Sequence, residues 1–388
     1  LLSRGLGDVY KRQCKYNDNI YLMPEDNYAQ WTNHGFAYRL DWAKEAGLED
    51  GVHSWEDMTT YFKYVCDNKD ELGVVTPWDS DGTQFSQMAG GWISSHSDFV
   101  SIDGLAAAAY WGGTKDDLYT IVSPLYTDTD SLVEFAKMMK EWDEMGVWKT
   151  DVLNNTSSDN REDFKLGKTA AEQHHTETWT DLVSKTPENV PGAEVGFFWF
   201  GEEEKNVTAL NITHGAMAVS YGSENPERAL MVYDLLRNDA ECYDLINYGQ
   251  KGVQWDVNDE GLRITPESYN SDTDGITTNF WWGRNDLLEI RDATKDWDKI
   301  DVMYKELEDA AIDYPYGKFV ANVDDIQSYI NNINEVNTNY MKQIAYGKYT
   351  GTAEEIVAEY QQALKDAGMD IVIEELQKQL NEVYGDAE

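Results

Sequence analysis

The sequence predicts an α/β fold with a helix-rich C-terminal region, and three observations carry that prediction. Strand-length apolar runs alternate with amphipathic helical stripes through the first part of the chain, the pattern of α/β architecture. From Asp286 to Tyr346 and again from Thr352 the pattern becomes helical. The length, 388 residues, suits two domains or one large α/β unit with ample room for a buried core.

The elements follow in chain order. Asn19–Pro24 reads as a strand ended by its proline, and Phe36–Asp41 as a second extended segment leading into a short helix that stops at Gly47. Ser54-Trp-Glu-Asp57 predicts a capping box, with Met58, Tyr61, Phe62 and Val65 on one helical face behind it. Asp79 to Gly113 is rich in Gly and Ser and reads as loops and short helices. Phe135, Met138, Met139, Trp142 and Met145 form an amphipathic stripe stopped by Gly146, and its residues are expected in the core. Val195–Phe200 and Ala209–Val219 are strand candidates. Asn225-Pro226 then opens a helix whose Ala229, Val232, Tyr233 and Leu236 share a face. At the C-terminus, Ile356, Val357, Tyr360, Leu364 and Ala367 make a stripe broken by Gly368, and Ile371–Tyr384 resumes it.

Composition excludes several function classes. With 72 acidic against 31 basic side chains, the net charge is −41. A nucleic-acid ligand needs clustered Lys and Arg, so none is expected, and the folded body is unsuited to an anionic membrane surface. No stretch approaches the ~20 apolar residues of a membrane helix. Three cysteines, Cys14, Cys66 and Cys242, are too few and too far apart for a disulfide framework or a CxxC metal site. The 14 tryptophans are the more informative number. About three quarters of them are expected in the core, where aromatics carry much of the burial energy.

No phosphate-binding loop, GxGxxG, HExxH or GxSxG occurs, so no cofactor, catalytic metal or esterase nucleophile is expected. His174-His175 is the only histidine pair. Neighbours on a strand point to opposite faces, which makes it a poor chelate. Asp79-Ser-Asp81-Gly82 and Asp272-Thr-Asp274-Gly275 lack the full spacing of an EF-hand and read as acid-rich turns.

Residues 1–13 carry three basic residues and one acid, unlike the acidic remainder. They resemble translated adaptor sequence and are expected to be a non-native leader. Further along, Ile20-Tyr-Leu-Met-Pro24, Phe36-Ala-Tyr-Arg-Leu-Asp41, Ala46-Gly-Leu48 and Ser54-Trp-Glu-Asp57 occur in that order. Phe164-Lys-Leu-Gly-Lys-Thr-Ala170, Asn225-Pro-Glu-Arg-Ala229, Asn247-Tyr-Gly-Gln-Lys-Gly252, Trp282-Gly-Arg-Asn285 and Ala367-Gly-Met-Asp370 follow. Together they resemble the extracellular solute-binding proteins of carbohydrate ABC importers. The likeness is to maltose-binding proteins and especially to the oligosaccharide-binding lipoproteins of Gram-positive bacteria.

The resemblance implies a two-lobed periplasmic-binding-protein-like fold with the first lobe incomplete. Residues 14–23 would be a remnant of that lobe and a crossing strand, and 24–208 the second lobe. Residues 209–278 would be the return crossing and a first-lobe segment, and 279–388 a helical region completing the lobes. It further implies a monomeric extracellular receptor, lipid-anchored in its full-length form, that binds an oligosaccharide and delivers it to ABC permease subunits by lobe closure, without catalysis. The loop His174–Trp179 would supply Trp179 to stack or to buttress the stack, with Glu177 and His175 bonding hydroxyls. Trp281, Trp282 and Asn285 fall where the family places another stacking aromatic. Trp78 and Asp79 fit a third contact, and His34, near the first crossing, a fourth. A glycoside-processing enzyme with two cleft carboxylates and a surface glycan adhesin are the competing readings. Turnover of an oligosaccharide would identify the former, and absence of neighbouring permease genes the latter.

Overall fold

A computed structural model describes residues 14–16, 19–24, 33–105, 109–209, 212–278 and 280–385. The expected leader, residues 1–13, lies outside the described residues. The chain divides into two compact units. The smaller comprises residues 1–30 and 210–304, the larger 31–209 and 305–388.

In the smaller unit β1 (Lys15–Tyr16) pairs antiparallel with β2 (Asn19–Ile20). The strand expected over 19–24 is shorter than that, and only Met23 pairs again, in an isolated bridge to Met217. In the larger unit β3 (His34–Arg39) leads into α1 (Leu40–Glu45) and then α2 (Trp55–Leu72). Ser54 caps α2 by accepting the Asp57 amide N–H at 3.0 Å. Asp57 reaches back to the His53 N–H at 3.1 Å, one residue before the capping-box partner.

Helix α3 (Phe85–His96) occupies the segment expected to be loops and short helices. Gly90 and Gly91 lower its propensity, which hid it from the sequence pattern. At Gly91 a Cβ would lie 2.4 Å from the Phe200 ring, so close packing explains the glycine. Next come β4 (Phe99–Ser101), β5 (Gly112–Thr114), α4 (Thr129–Met145) and α5 (Asn160–Lys165). Helix α4 ends on Gly146 in the left-handed conformation, where the sequence places its stop. The chain continues through β6 (Ala171–His175), α6 (Thr176–Asn189), β7 (Val195–Trp199) and β8 (Val207–Thr208).

The strand expected over 209–219 does not form. Residues 212–215 turn instead, and the pairing falls on β8, which lies parallel to β11 (Ala311–Ile312). Back in the smaller unit, α7 (Pro226–Asn238) has Pro226 in its first turn, but Asn225 makes no side-chain cap. It buries Tyr233 of the expected stripe together with Arg237, leaves Ala229 and Leu236 half-buried, and exposes Val232. Helix α8 (Ala240–Tyr248) and the antiparallel pair β9 (Asp256–Val257) and β10 (Arg263–Ile264) follow. Helix α9 (Trp297–Ala310) precedes the C-terminal helices of the larger unit, α10 (Gln327–Ala345), α11 (Ala353–Asp366) and α12 (Met369–Tyr384).

The central sheet has the order β6–β3–β7, antiparallel throughout. Phe36, in its middle strand, meets Trp78 edge to face at 5.1 Å and Phe200 at 5.6 Å, with Trp55, Phe62 and Trp142 within 6.2 Å. Such edge-on pairs place positive ring edges against negative faces. The C-terminal helices enter the same core through Ile330, Ile344, Val357, Tyr360, Leu364, Val372 and Leu376. Ten of the thirteen described tryptophans are buried, as the composition leads one to expect. Among the described residues no helix is long and apolar enough to cross a membrane.

Gly35 is the tightest point of the sheet. A Cβ there would lie 2.3 Å from the Phe198 carbonyl oxygen and 2.8 Å from the Trp199 Cα, both backbone atoms. Gly35→Ala is therefore expected to lower unfolding free energy by about 1–3 kcal/mol through forced displacement of β7. An unchanged urea midpoint would show that the strands can separate freely there.

Candidate functional site

The antiparallel register sets His34 opposite His175 and Gly35 opposite His174. The histidine rings gather at this end of the sheet. The His34 and His174 centroids are 5.7 Å apart, and those of His34 and His175 are 6.1 Å apart. The His174 and His175 rings approach to 4.2 Å. The strand alternation expected to separate that pair fails because β6 ends at His175, which turns to cap α6 by accepting the Thr178 amide N–H at 3.2 Å.

Beside this end of the sheet lies a cleft of about 430 Å³. One wall is His34, Gln173, His174 and Glu172. Asp81, Thr83, Gln84 and Gln87 form another, and residues 158–162 at the start of α5 a third. All belong to the larger unit.

Hydrogen bonds hold the walls. Gln173 donates its amide to His34 Nδ1 at 2.9 Å, and Gln84 donates to the Gln173 carbonyl at 2.7 Å. Asn160 donates to Glu172 and to the Ala171 carbonyl, while Arg161 donates to the other Glu172 oxygen at 3.2 Å. Burial pushes the Glu172 carboxyl up, and the bonds from Asn160 and Arg161 oppose that rise. Two acceptors remain unused: Gln87 Oε1 and Gln173 Oε1 are buried without a hydrogen-bond partner.

The histidines are held neutral. Burial, with His175 nearby, lowers His34 to about 4. Burial, with His175, Arg161 and His34 adding repulsion, lowers His174 to about 3. Burial lowers His175 too, against the opposing pull of Glu177. At neutral pH the cleft thus presents uncharged imidazoles, amides and carboxylates with one guanidinium. Such a surface bonds hydroxyl and amide groups in either direction.

Not all residues expected from the sequence reach this cleft. His34 lines it and His175 packs against His34. Asp79 lies beneath the rim, paired with Lys149 at 2.8 Å and accepted by Asn160 through its own N–H at 3.0 Å. Glu177 stands in the first turn of α6, half buried. The ligand contact expected of Trp78 and the direct stacking expected of Trp179 are corrected. Trp78 is wholly buried against Phe36 and Trp148, and Trp179 is buried beside Phe197 at 5.8 Å, so neither offers a face to a ligand.

Trp281, Trp282 and Asn285 belong to the smaller unit. Trp282 stacks on Tyr233 at 5.8 Å and 8°. Trp281 is 47% exposed. Asn285 is buried, and the contact expected of it is corrected: its amide donates to the Arg237 carbonyl and Asn238, and its oxygen accepts the Leu287 N–H. The sequence reading missed Asp81, Gln84, Gln87, Arg161, Glu172 and Gln173. Only Asp81, inside the acid-rich turn, and Gln173, next to the histidine pair, carried any signal.

With the geometry in place, the chain superposes along nearly its whole length on the N-glycan transport solute-binding protein NgtS of Streptococcus pneumoniae. The TM-score is 0.71 at 17% identity, covering 98% of this chain and 79% of that one. The fold is that of solute-binding proteins. An HMO-binding, ABC-transporter-associated solute-binding protein of Bifidobacterium longum infantis is similar at a TM-score of 0.60 and 13% identity, covering 100% of this chain and 81% of that one. The alginate-binding protein AlgQ2 is similar at 0.61 and 14%, covering 98% and 78%. Residues 315–384, the C-terminal helices of this solute-binding-protein fold, match a domain of unknown function, DUF3502. No curated protein sequence matches the chain.

The depressed histidines make acid stability a readout of the site. Unfolded, each binds a proton below about pH 6.5, whereas the folded chain holds His34 and His174 neutral to about 4 and about 3. The unfolded state then carries more protons, so their contribution to stability is lost as pH falls from about 6.5 through that window. The double variant His34→Gln, His174→Gln should lose less stability than the wild type between pH 6.5 and 4 in urea titrations. Parallel pH profiles would show that the rings are not held neutral.

Proposed function

We propose that this chain is an extracellular receptor for a neutral oligosaccharide, delivering it to the permease subunits of an ABC importer by lobe closure and leaving it chemically intact. The observation that carries the reading is the pair of buried, unpartnered acceptors, Gln87 Oε1 and Gln173 Oε1, on the wall of a polar cleft. A buried acceptor without a partner costs about 1–3 kcal/mol. Both oxygens have almost no accessible surface, so saccharide hydroxyls would remove that cost once the two amides turn toward the cleft, and the neutral imidazoles beside them can donate or accept in turn. The solute-binding-protein fold supports the reading, since relatives of that fold are named for transporting or binding glycans.

The charge of the cleft favours a neutral ligand. Asp81, Asp159, Glu162 and Glu172 face a single cation, Arg161, which Glu172 already engages. An acidic glycan would add charge of the same sign. In the smaller unit, the open face of Trp281 suits the apolar C–H side of a sugar ring. We assign the larger unit to the second lobe extended by the C-terminal helices, and the receptor to a monomer held at the cell surface.

Intrinsic fluorescence and calorimetry with neutral and uronate-bearing oligosaccharides test this, with chromatography of the recovered sugar. Saturable binding of a neutral, uncleaved oligosaccharide is the expected result. Gln87→Ala and Arg161→Ala should each weaken it by about 10–100-fold, matching the loss of one buried or charge-assisted bond, with unchanged far-UV spectra. Cleavage of the sugar would replace the receptor by an enzyme. Preference for the uronate would overturn the choice of ligand.

A further inference from the structure

A second polar cluster shares no residue with the cleft. It joins three segments of the larger unit: Glu56 in the first turn of α2, His96 at the last position of α3, and Glu203 in the turn after β7. One ligating atom from each lies within 4.8 Å of those of the other two.

The histidine is oriented as a ligand would be. Its Nδ1 lies 2.9 Å from the Trp92 carbonyl oxygen, to which it donates, so the lone pair of the neutral ring stands on Nε2. The ring is also stacked on Trp92 at 3.6 Å and 19°, which fixes its plane. A hydrogen bond from the far nitrogen to a carbonyl is the usual support of a metal-bound histidine.

Glu203 supplies the second, independent observation. The Trp55 amide N–H and the Ser95 hydroxyl lie near enough to favour its ionised form, while Oε2 is buried with no hydrogen-bond partner. An oxygen without a donor, beside a second carboxylate and an imidazole lone pair, lacks only a cation.

We propose that Glu56, His96 and Glu203 form a three-ligand site for a divalent transition cation of the zinc type. An imidazole nitrogen among the donors selects zinc-like ions over calcium or magnesium, which favour all-oxygen shells. Tetrahedral ligands around zinc stand about 3.4 Å apart, from bond lengths near 2.0–2.1 Å. The exposed Glu56 side chain can supply the closing movement, and the fourth position is left for water. The bound ion ties the start of α2 to the end of α3 and to the turn after β7. This role is separate from the ligand cleft and does not depend on its reading.

The competing account is that Glu203 merely caps the start of α2 through Trp55, with His96 a bystander. Chelator-treated protein titrated with Zn²⁺ by calorimetry, with thermal unfolding at each point, separates the two. The expected result is one Zn²⁺ per chain with a rise in Tm, and no rise with Mg²⁺ at the same concentration. His96→Ala, which leaves the cap intact, and Glu203→Gln should each weaken Zn²⁺ by more than about tenfold, the lower bound seen even for outer-shell partners. His174→Ala should not weaken it. No Zn²⁺ binding, undiminished binding in His96→Ala, loss of binding in His174→Ala, or an equal response to Mg²⁺ would each overturn the site.

Discussion

Strand β3 is the constraint on which the larger unit depends. It is the only strand of the central sheet with a neighbour on each side, so the four residues from Gly35 to Tyr38 answer to two registers at once. Phe36 buries its ring among five other aromatics. One residue earlier, Gly35 has no side chain because β7 leaves no space for one. One residue earlier again, His34 leaves the core and enters the cleft. A one-residue slip would carry Phe36 onto the glycine's position in one direction, or put Gly35 in place of the core phenylalanine in the other. Core packing and the geometry of the cleft are therefore the same fact seen from two ends of one strand.

The acidity of the chain has a different consequence inside than outside. On the surface, carboxylates keep their charge and pair locally, as Lys44 does with Glu194 and Lys63 with Asp67. Exposed pairs of this kind contribute little to stability. Inside, each carboxylate needs a donor or a raised pKa. Glu172 has Asn160 and Arg161, and Glu289 takes the hydroxyls of Tyr243 and Tyr248 in the smaller unit. Gln173 Oε1, Gln87 Oε1 and Glu203 Oε2 are among the acceptors on which this accounting fails to close, together with Asp79 Oδ1, Glu202 Oε2 and Asn334 Oδ1. Orphaned buried acceptors call for an external partner, because the protein otherwise bears their desolvation cost unrelieved.

What the sequence made legible is what short-range periodicity encodes. The stripe ending in Met145, its stop at Gly146, the Ser54 cap and the C-terminal helices all depend on residues within one or two turns of one another. The tryptophans were legible in aggregate, as mostly core, but not one by one. Trp78 and Trp179 look like any exposed tryptophan in sequence, and only the packing of Phe36 and Phe197 against them removes their faces from solvent. The polar cleft was opaque for the same reason. Gln84 meets Gln173, and Asn160 meets Glu172, through a sheet register that no local pattern specifies. The strand expected over 209–219 failed because apolar content alone does not supply a partner strand, and the chain turns at 212–215 instead.

Both polar clusters occupy the ends of elements rather than their middles. His34 opens β3 and His175 closes β6, while Glu56 stands in the first turn of α2, His96 closes α3, and Glu203 lies just beyond β7. Interior positions on these elements are committed to the aromatic core, where a titratable group would bear the full cost of desolvation. At an element's end the backbone still fixes the side chain's position, yet one direction is free of packing. Elements that start and stop at a common edge therefore collect polar groups from distant parts of the chain without disturbing the core. That geometry explains how a chain with no catalytic or metal-binding motif in its sequence can still assemble two polar clusters whose members are separated by up to 147 residues.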